Sequence, residues 1–94
     1  MAIVRADCQL SVSFLKEGKQ FVAYSPALDI CTCGKTLAQA RKRFAEASSL
    51  FLEELYKKGT LQEVLTNLGW KVQNEKLVPP VVVAQEEQKV SVPV

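Results

Sequence analysis

At 94 residues the chain is sized for a single domain with little room for a deep enclosed pocket. Its net charge of +2 is too small to indicate nucleic acid or a membrane surface as a partner. With no histidine, the chain lacks the most common general base and metal ligand, and its three cysteines argue against a disulfide framework. There is no signal-peptide pattern and no apolar run long enough to cross a bilayer, so a cytoplasmic location is expected.

The first half of the chain has the pattern of three strands. Apolar and polar residues alternate over residues 4–14, which predicts an antiparallel strand with one face on the core. The loop LKEGKQ, in which Gly18 can take a positive φ, leads to a second strand, FVAYS. PALD then predicts a turn, because Pro26 cannot donate to a sheet, and ICTCG favours a third strand.

Two segments with apolar residues every three or four positions predict helices. Before the first, TLAQ matches a capping box, in which Thr36 accepts from the backbone of Gln39 and the Gln39 side chain returns to Thr36, so the helix should begin at Leu37. Two lysines followed by Gly59 mark its end. TLQE predicts a second capping box for a shorter helix that closes at Gly69.

The composition changes after the helices. GWKVQ is compatible with a short strand, and two consecutive prolines then exclude a helix. Alternate valines at the end predict a further strand that pairs with its own sheet or contacts a second copy: Val90, Val92 and Val94. We therefore predict an α+β domain over residues 1–72 and an extended C-terminal arm over residues 73–94. The predicted fold is an antiparallel sheet of three to four strands in the order β-β-β-α, short α, β, with the main helix on one face.

The cysteines are the first candidates for chemistry. Cys8, Cys31 and Cys33 are too few for a structural zinc site, and the Cys-x-Cys spacing is not the usual one. Residues two apart on a strand share a face, so Cys31 and Cys33 are predicted to pack together as small hydrophobic residues. A redox role stays open for Cys33, because it precedes a helix and has Lys35 nearby.

Glycine and charged residues give the other candidates. CGKT does not complete a phosphate-binding loop, because Asp29 stands where the first glycine is required, and Gly34 is instead predicted to permit a tight turn. Asp7 and Asp29 are too few for a two-metal nuclease. The run Arg41, Lys42 and Arg43 is typical of a solvated helix face, although contact with phosphate or an acidic partner stays open because the helix dipole does not favour cations there. No catalytic, metal or cofactor site is predicted, and we do not expect an enzyme.

The segment FVAYSPALDICTCGKTLAQARKRFAEASSLFLEEL resembles the HicB-like antitoxin family. That family has an aromatic-Val-Ala-aromatic strand, a Pro-x-Leu-Asp turn, a short strand, Gly-x-Thr and an amphipathic helix. The matching positions, within residues 4–56, are Phe21 to Tyr24, Pro26, Leu28, Asp29, Gly34, Thr36, Ala40, Phe44, Ala47, Phe51, Leu52 and Glu53. The resemblance implies a reduced ribonuclease H-like fold without that fold's active site.

The resemblance also implies a function and a partner. Members of the family bind and block a small RNA-cleaving toxin of the HicA type, and many carry a separate DNA-binding domain. This chain has Lys35, Ala38 and Gln39 where the family often has acids. Nothing after Gly69 has the pattern of a DNA-binding domain, which argues against promoter binding. The expected protein is a non-catalytic antitoxin that forms a homodimer or higher oligomer. The alternatives are a nucleic-acid-binding or residual nuclease domain that uses Asp7, Asp29 and the basic run, and an orphan oligomeric scaffold.

Overall fold

The computed structural model describes residues 8–94 and shows the predicted α+β fold. Three strands form an antiparallel sheet in the order of the sequence: β1 (Ser13–Glu17), β2 (Gln20–Ser25) and β3 (Ile30–Gly34). Two helices and a separate two-stranded sheet follow: α1 (Leu37–Lys58), α2 (Leu61–Asn67), β4 (Lys71–Gln73) and β5 (Lys76–Val78). Within residues 8–94, no helix combines the length and the hydropathy required to cross a membrane.

The first strand lies further along the chain than predicted. The alternating pattern predicts residues 4–14, of which residues 4–7 lie outside the described part, whereas β1 begins at Ser13 and continues to Glu17, into the expected loop. Glu17 pairs with Gln20, so the hairpin turn has only two residues. Gly18 takes a φ of 59° at its first position, as a type II′ turn requires. The tight turn sets the register, and the strand therefore extends up to it.

Local signals fix both ends of α1. The Thr36 hydroxyl oxygen accepts from the Gln39 backbone N–H at 3.0 Å, as predicted. The Gln39 side chain returns to the Lys35 N–H at 2.7 Å, one residue earlier than the capping box predicts. At the other end, Gly59 has a φ of 73°, and its N–H and that of Thr60 bond to carbonyls of the last turn, which is the Schellman arrangement.

The second predicted capping box is wrong. Thr60 makes no side-chain cap bond to α2, and its hydroxyl donates to the Leu55 carbonyl at 3.5 Å. The Thr60 N–H already bonds to the same carbonyl at 3.0 Å, because this residue completes the end of α1. One residue cannot close the first helix in that conformation and also adopt the extended backbone of a typical N-cap.

The core has two parts on the helix side of the sheet. Ala23 of β2 packs against Ala40 and Phe44 of α1 in the first part. The second part holds the turn between β2 and β3 against α2 and the segment that follows it, through Ala27, Leu28, Leu65 and Trp70. The Trp70 indole N–H donates to the Ala27 carbonyl at 2.7 Å in a buried bond between residues 43 apart in sequence. This bond fixes the turn to the second half of the chain.

The C-terminal region consists of a small hairpin and an extended arm. Strands β4 and β5 pair with each other, so the boundary predicted between residues 72 and 73 falls inside β4. Residues 79–94 carry no strand, and Val90, Val92 and Val94 do not pair with either sheet of the described residues. The radius of gyration is 15.8 Å, compared with about 12 Å for a compact chain of this length. The difference is what a projecting arm produces.

Candidate functional site

Helix α1 covers one face of the three-stranded sheet, and the described residues leave the other face largely exposed. Thr32 and Gly34 point toward the helix, since the Thr32 hydroxyl donates to the Ala40 carbonyl at 3.3 Å. Side chains alternate along a strand, so the opposite face carries the residues between them. We call this surface the open face and define it by Leu15, Val22, Tyr24, Cys31 and Cys33.

The open face is apolar at its centre and nearly uncharged. Leu15, Val22 and Cys33 lie opposite one another across the three strands, and Ser13, Tyr24 and Cys31 form the adjacent row. The side chain of Leu15 is 48% exposed, and Val22 and Tyr24 are half-buried. The only ionised side chain within the three strands on this face is Glu17, at the hairpin corner. Such a surface has an apolar centre and a polar rim, which is the organisation of a protein interface.

The two cysteines share a face, as predicted, but the prediction that they pack in the core is wrong. Both Cys31 and Cys33 are free and exposed. The sequence pattern did not decide which side of β3 receives the helix, whereas the structure shows that Gly34 does. A Cβ at Gly34 would lie 2.7 Å from the Ala40 backbone nitrogen, so the helix can approach only on the side where there is no side chain.

This steric role of Gly34 replaces the role predicted from its turn position. Its φ lies outside the left-handed region, so the residue is not required for an unusual backbone conformation. It is buried against the first turn of α1, where added atoms would meet backbone rather than flexible side chains. Gly34 therefore sets the distance between β3 and the helix.

The turn that resembles the family signature also has a structural role. Leu28 is 2% exposed and belongs to the core, while Pro26 is exposed. Asp29 has a φ of 53°, a left-handed conformation that aspartate tolerates better than most residues, and it accepts a hydrogen bond from the Tyr24 hydroxyl at 3.2 Å. Partial burial and then this contact with Asp29 raise the pKa of the Tyr24 phenol. Asp7, the other predicted acid, lies outside the described residues.

Two of the three residues in the basic run have partners within the chain. The Arg41 guanidinium lies 5.3 Å from the centre of the Phe14 ring. The Arg43 side chain donates a hydrogen bond to the Cys33 backbone carbonyl at 3.0 Å. Cys33 belongs to β3, an outer strand of the described sheet. Lys42 is exposed. These contacts give Arg41 and Arg43 local reasons to be at the start of α1 that the sequence did not reveal.

A further cation–aromatic contact extends this side of the molecule. Lys16 of β1 lies 5.8 Å from the centre of the Phe21 ring of β2, next to the pair formed by Phe14 and Arg41. The sequence pattern did not indicate this cluster, because residues 15–20 were expected to form a loop, whereas β1 continues to Glu17 and includes Lys16. Within residues 8–94, no three His, Cys, Asp or Glu side chains are grouped so that they could hold a metal ion.

The C-terminal arm passes the edge of the open face. Val82 and Gln85 lie beside Ser11 and Val12 across a shallow groove of about 450 Å³. The Gln85 amide donates to the Ser13 hydroxyl at 3.5 Å. Because Ser13 lies opposite Tyr24 on the open face, this weak contact brings the arm to the rim of that face.

Comparison with known proteins adds no family to these observations. No family model, no curated protein and no solved structure matches the chain. The open face, its exposed thiols and the arm beside it are therefore the features of the molecule from which a function has to be inferred.

Proposed function

We propose that this chain is a HicB-like antitoxin, a non-catalytic protein that binds and occludes a small RNA-cleaving toxin of the HicA type. The observation that supports the proposal most is the open face, an apolar and nearly uncharged surface that the isolated chain leaves exposed. The residues that resemble the family support it as well. The turn between β2 and β3 contains Leu28 and Asp29. Gly34 makes the close contact between the sheet and α1, and Thr36 caps that helix.

Occlusion of this kind requires only a complementary surface. Tyr24 is the natural anchor, because it presents an aromatic ring beside Leu15 and Val22, and aromatic residues near the centre of an interface often dominate its binding energy. Its hydroxyl is held by Asp29, so the side chain is already oriented before a partner arrives. A toxin seated here would lose access to its own RNA substrate through steric exclusion.

The proposal is tested by co-expression with the product of the neighbouring reading frame, followed by copurification and an RNA-cleavage assay of that product. The diagnostic variant is Leu15→Lys, which adds a charge to the open face opposite Val22. Its matched control is Ser49→Lys on the exposed side of α1. The face variant should weaken toxin binding by about a hundredfold or more, and the control should leave it unchanged. Failure of the neighbouring product to copurify, or equal effects of the two variants, would contradict the proposal.

The cation–aromatic cluster on the helix side favours a second candidate, the binding of single-stranded nucleic acid. Phe14 is 38% exposed and contacts Arg41, and the exposed Lys42 follows Arg41 on α1. An exposed aromatic ring with nearby cations can stack a base and contact phosphate. Filter binding of a single-stranded oligonucleotide across a salt series tests it, because phosphate contacts must weaken as salt rises. Absence of binding at low salt eliminates this candidate.

A further inference from the structure

The C-terminal arm exposes more apolar surface than an isolated chain should leave in water. Val81 is 79% exposed and Val83 is 93% exposed, and the three alternate valines of the tail are each at least 68% exposed. Apolar surface of this extent on an extended segment marks a contact site or an aggregation hazard. The open face and the arm are thus two uncovered apolar surfaces in one molecule.

The area of the open face alone is too small for a stable dimer, and the arm adds to it. Three strands of five residues give a face about 16 Å long and 14 Å wide, or about 230 Å². A stable interface buries about 800 Å² on each partner. Two open faces packed against each other therefore fall well short of a stable dimer. The nine residues after Gln85 add about 300 Å² for each copy, which brings the total to about 1,060 Å² over both partners, at the low end for a specific interface.

The arm after Gln85 is long and lacks residues that favour a reversal of direction. It leaves the open face at Gln85, and the nine residues that follow can span about 30 Å when extended. Between Glu86 and Val90 there is no Gly, Pro, Asn or Asp with which the chain could reverse its direction. The molecule measures 55 Å in its longest dimension and 28 Å in the next, as expected when the tail points away from the sheet.

The tail also matches the spacing of the face that would receive it. In an extended backbone, alternate residues share one side and recur about every 7 Å, as Val90, Val92 and Val94 would. The two rows of the open face, one containing Val22 and the other Tyr24, have the same interval because they are also two residues apart on a strand. Valine side chains can therefore lie in register with both rows.

We propose that two copies of this chain exchange their arms, so that Val90, Val92 and Val94 of each copy cover the open face of the other. The exchanged arm occupies the surface assigned above to the toxin. The dimer is then the resting form, and a toxin must displace the arm before it binds. This regulatory consequence rests on the proposed function, whereas the arm exchange itself does not.

The native thiols of the open face provide a direct test in the full chain without toxin. The variant Val92→Cys places a thiol on the side of the tail that faces Cys31 and Cys33 of the second copy, and Ser91→Cys places one on the opposite side as a matched control. Both changes lie in the exposed tail, so neither should affect folding. Under mild oxidation, Val92→Cys should form a covalent dimer at least about tenfold faster than Ser91→Cys or the wild type. Peptide mapping should link position 92 of one copy to Cys31 or Cys33 of the other.

Three results would overturn the exchange: a disulfide within one chain, a link between the two positions 92, or equal rates for the two variants.

Sedimentation equilibrium gives an independent measurement. Val92→Lys should raise the dimer dissociation constant at least about tenfold compared with Ser91→Lys, and equal dissociation constants would count against the exchange. Toxin binding is measured separately on Val92→Lys under reducing conditions, in which no disulfide holds the arm on the open face. Absence of toxin binding by this variant, together with a specific cross-link in Val92→Cys, refutes the antitoxin function alone. Toxin binding without the cross-link refutes the exchange alone.

Discussion

Substitution of Gly34 by alanine tests how closely β3 and α1 approach each other. The added Cβ would lie 2.7 Å from the Ala40 nitrogen and 3.0 Å from two atoms of Gln39. Since these include backbone atoms, the first turn of α1 must move away. Overpacking of this kind costs about 1–3 kcal/mol, and the lower entropy of the unfolded chain returns about 0.4–1 kcal/mol. The two ranges together give a net loss of up to about 2.6 kcal/mol in the free energy of unfolding, with a middle value of about 1.3 kcal/mol.

The assay is urea unfolding followed through the fluorescence of the buried Trp70. Gly18→Ala is the control, because nothing lies within 4 Å of its Cβ and only its positive φ opposes the change. Amide exchange separates the two variants: Gly34→Ala should lower protection at the start of α1, and Gly18→Ala should not. If Gly34→Ala is as stable as the wild type and keeps that protection, the steric explanation is refuted.

Three further changes test individual contacts. Thr36→Ala should cost about 1 kcal/mol because it removes a cap bond, while Thr60→Ala, which has no cap bond to lose, should cost clearly less in the same urea titration. Trp70→Phe should lower the free energy of unfolding by about 1–3 kcal/mol, measured by circular dichroism, because it leaves a buried carbonyl without its donor. The raised pKa of Tyr24 means that its contribution to stability is present below pH 10 and is lost as the pH rises through the folded pKa. Asp29→Asn should lower the pH at which Tyr24 ionises, measured by ultraviolet absorbance.

The boundaries of α1 could be predicted because the signals that set them are local. Thr36 and Gly59 lie within a few residues of the groups that they contact, so the sequence alone identifies the cap and the stop. The cap at Thr60 could not be judged in this way. The conformation of Thr60 depends on the helix that precedes it. The sequence TLQE has the capping-box pattern even though Thr60 completes the end of α1 and does not cap α2.

The limits of the strands, and the face that each strand turns toward the helix, were harder to predict than the existence of the strands. Alternation indicated a first strand, yet its limits follow from the two-residue turn at Gly18, which a pattern of apolar residues does not locate. The same limitation applies to β3. Its pattern places Cys31 and Cys33 on one face, but the choice of face depends on the contact between Gly34 and a helix that follows in the sequence.

The hydrogen bond from Arg43 to the Cys33 carbonyl bears on how far the protein can assemble. Within residues 8–94, β1 and β3 are the outer strands of the three-stranded sheet. A sheet whose two edges were both open could add one molecule after another, with the first edge of each joined to the last edge of the next. Such head-to-tail growth does not close on itself and leads to filaments. The Arg43 guanidinium uses a β3 carbonyl that an added strand would need as a hydrogen-bond acceptor. It also places a positive charge beside that edge. We therefore expect Arg43 to oppose open-ended growth through the β3 edge.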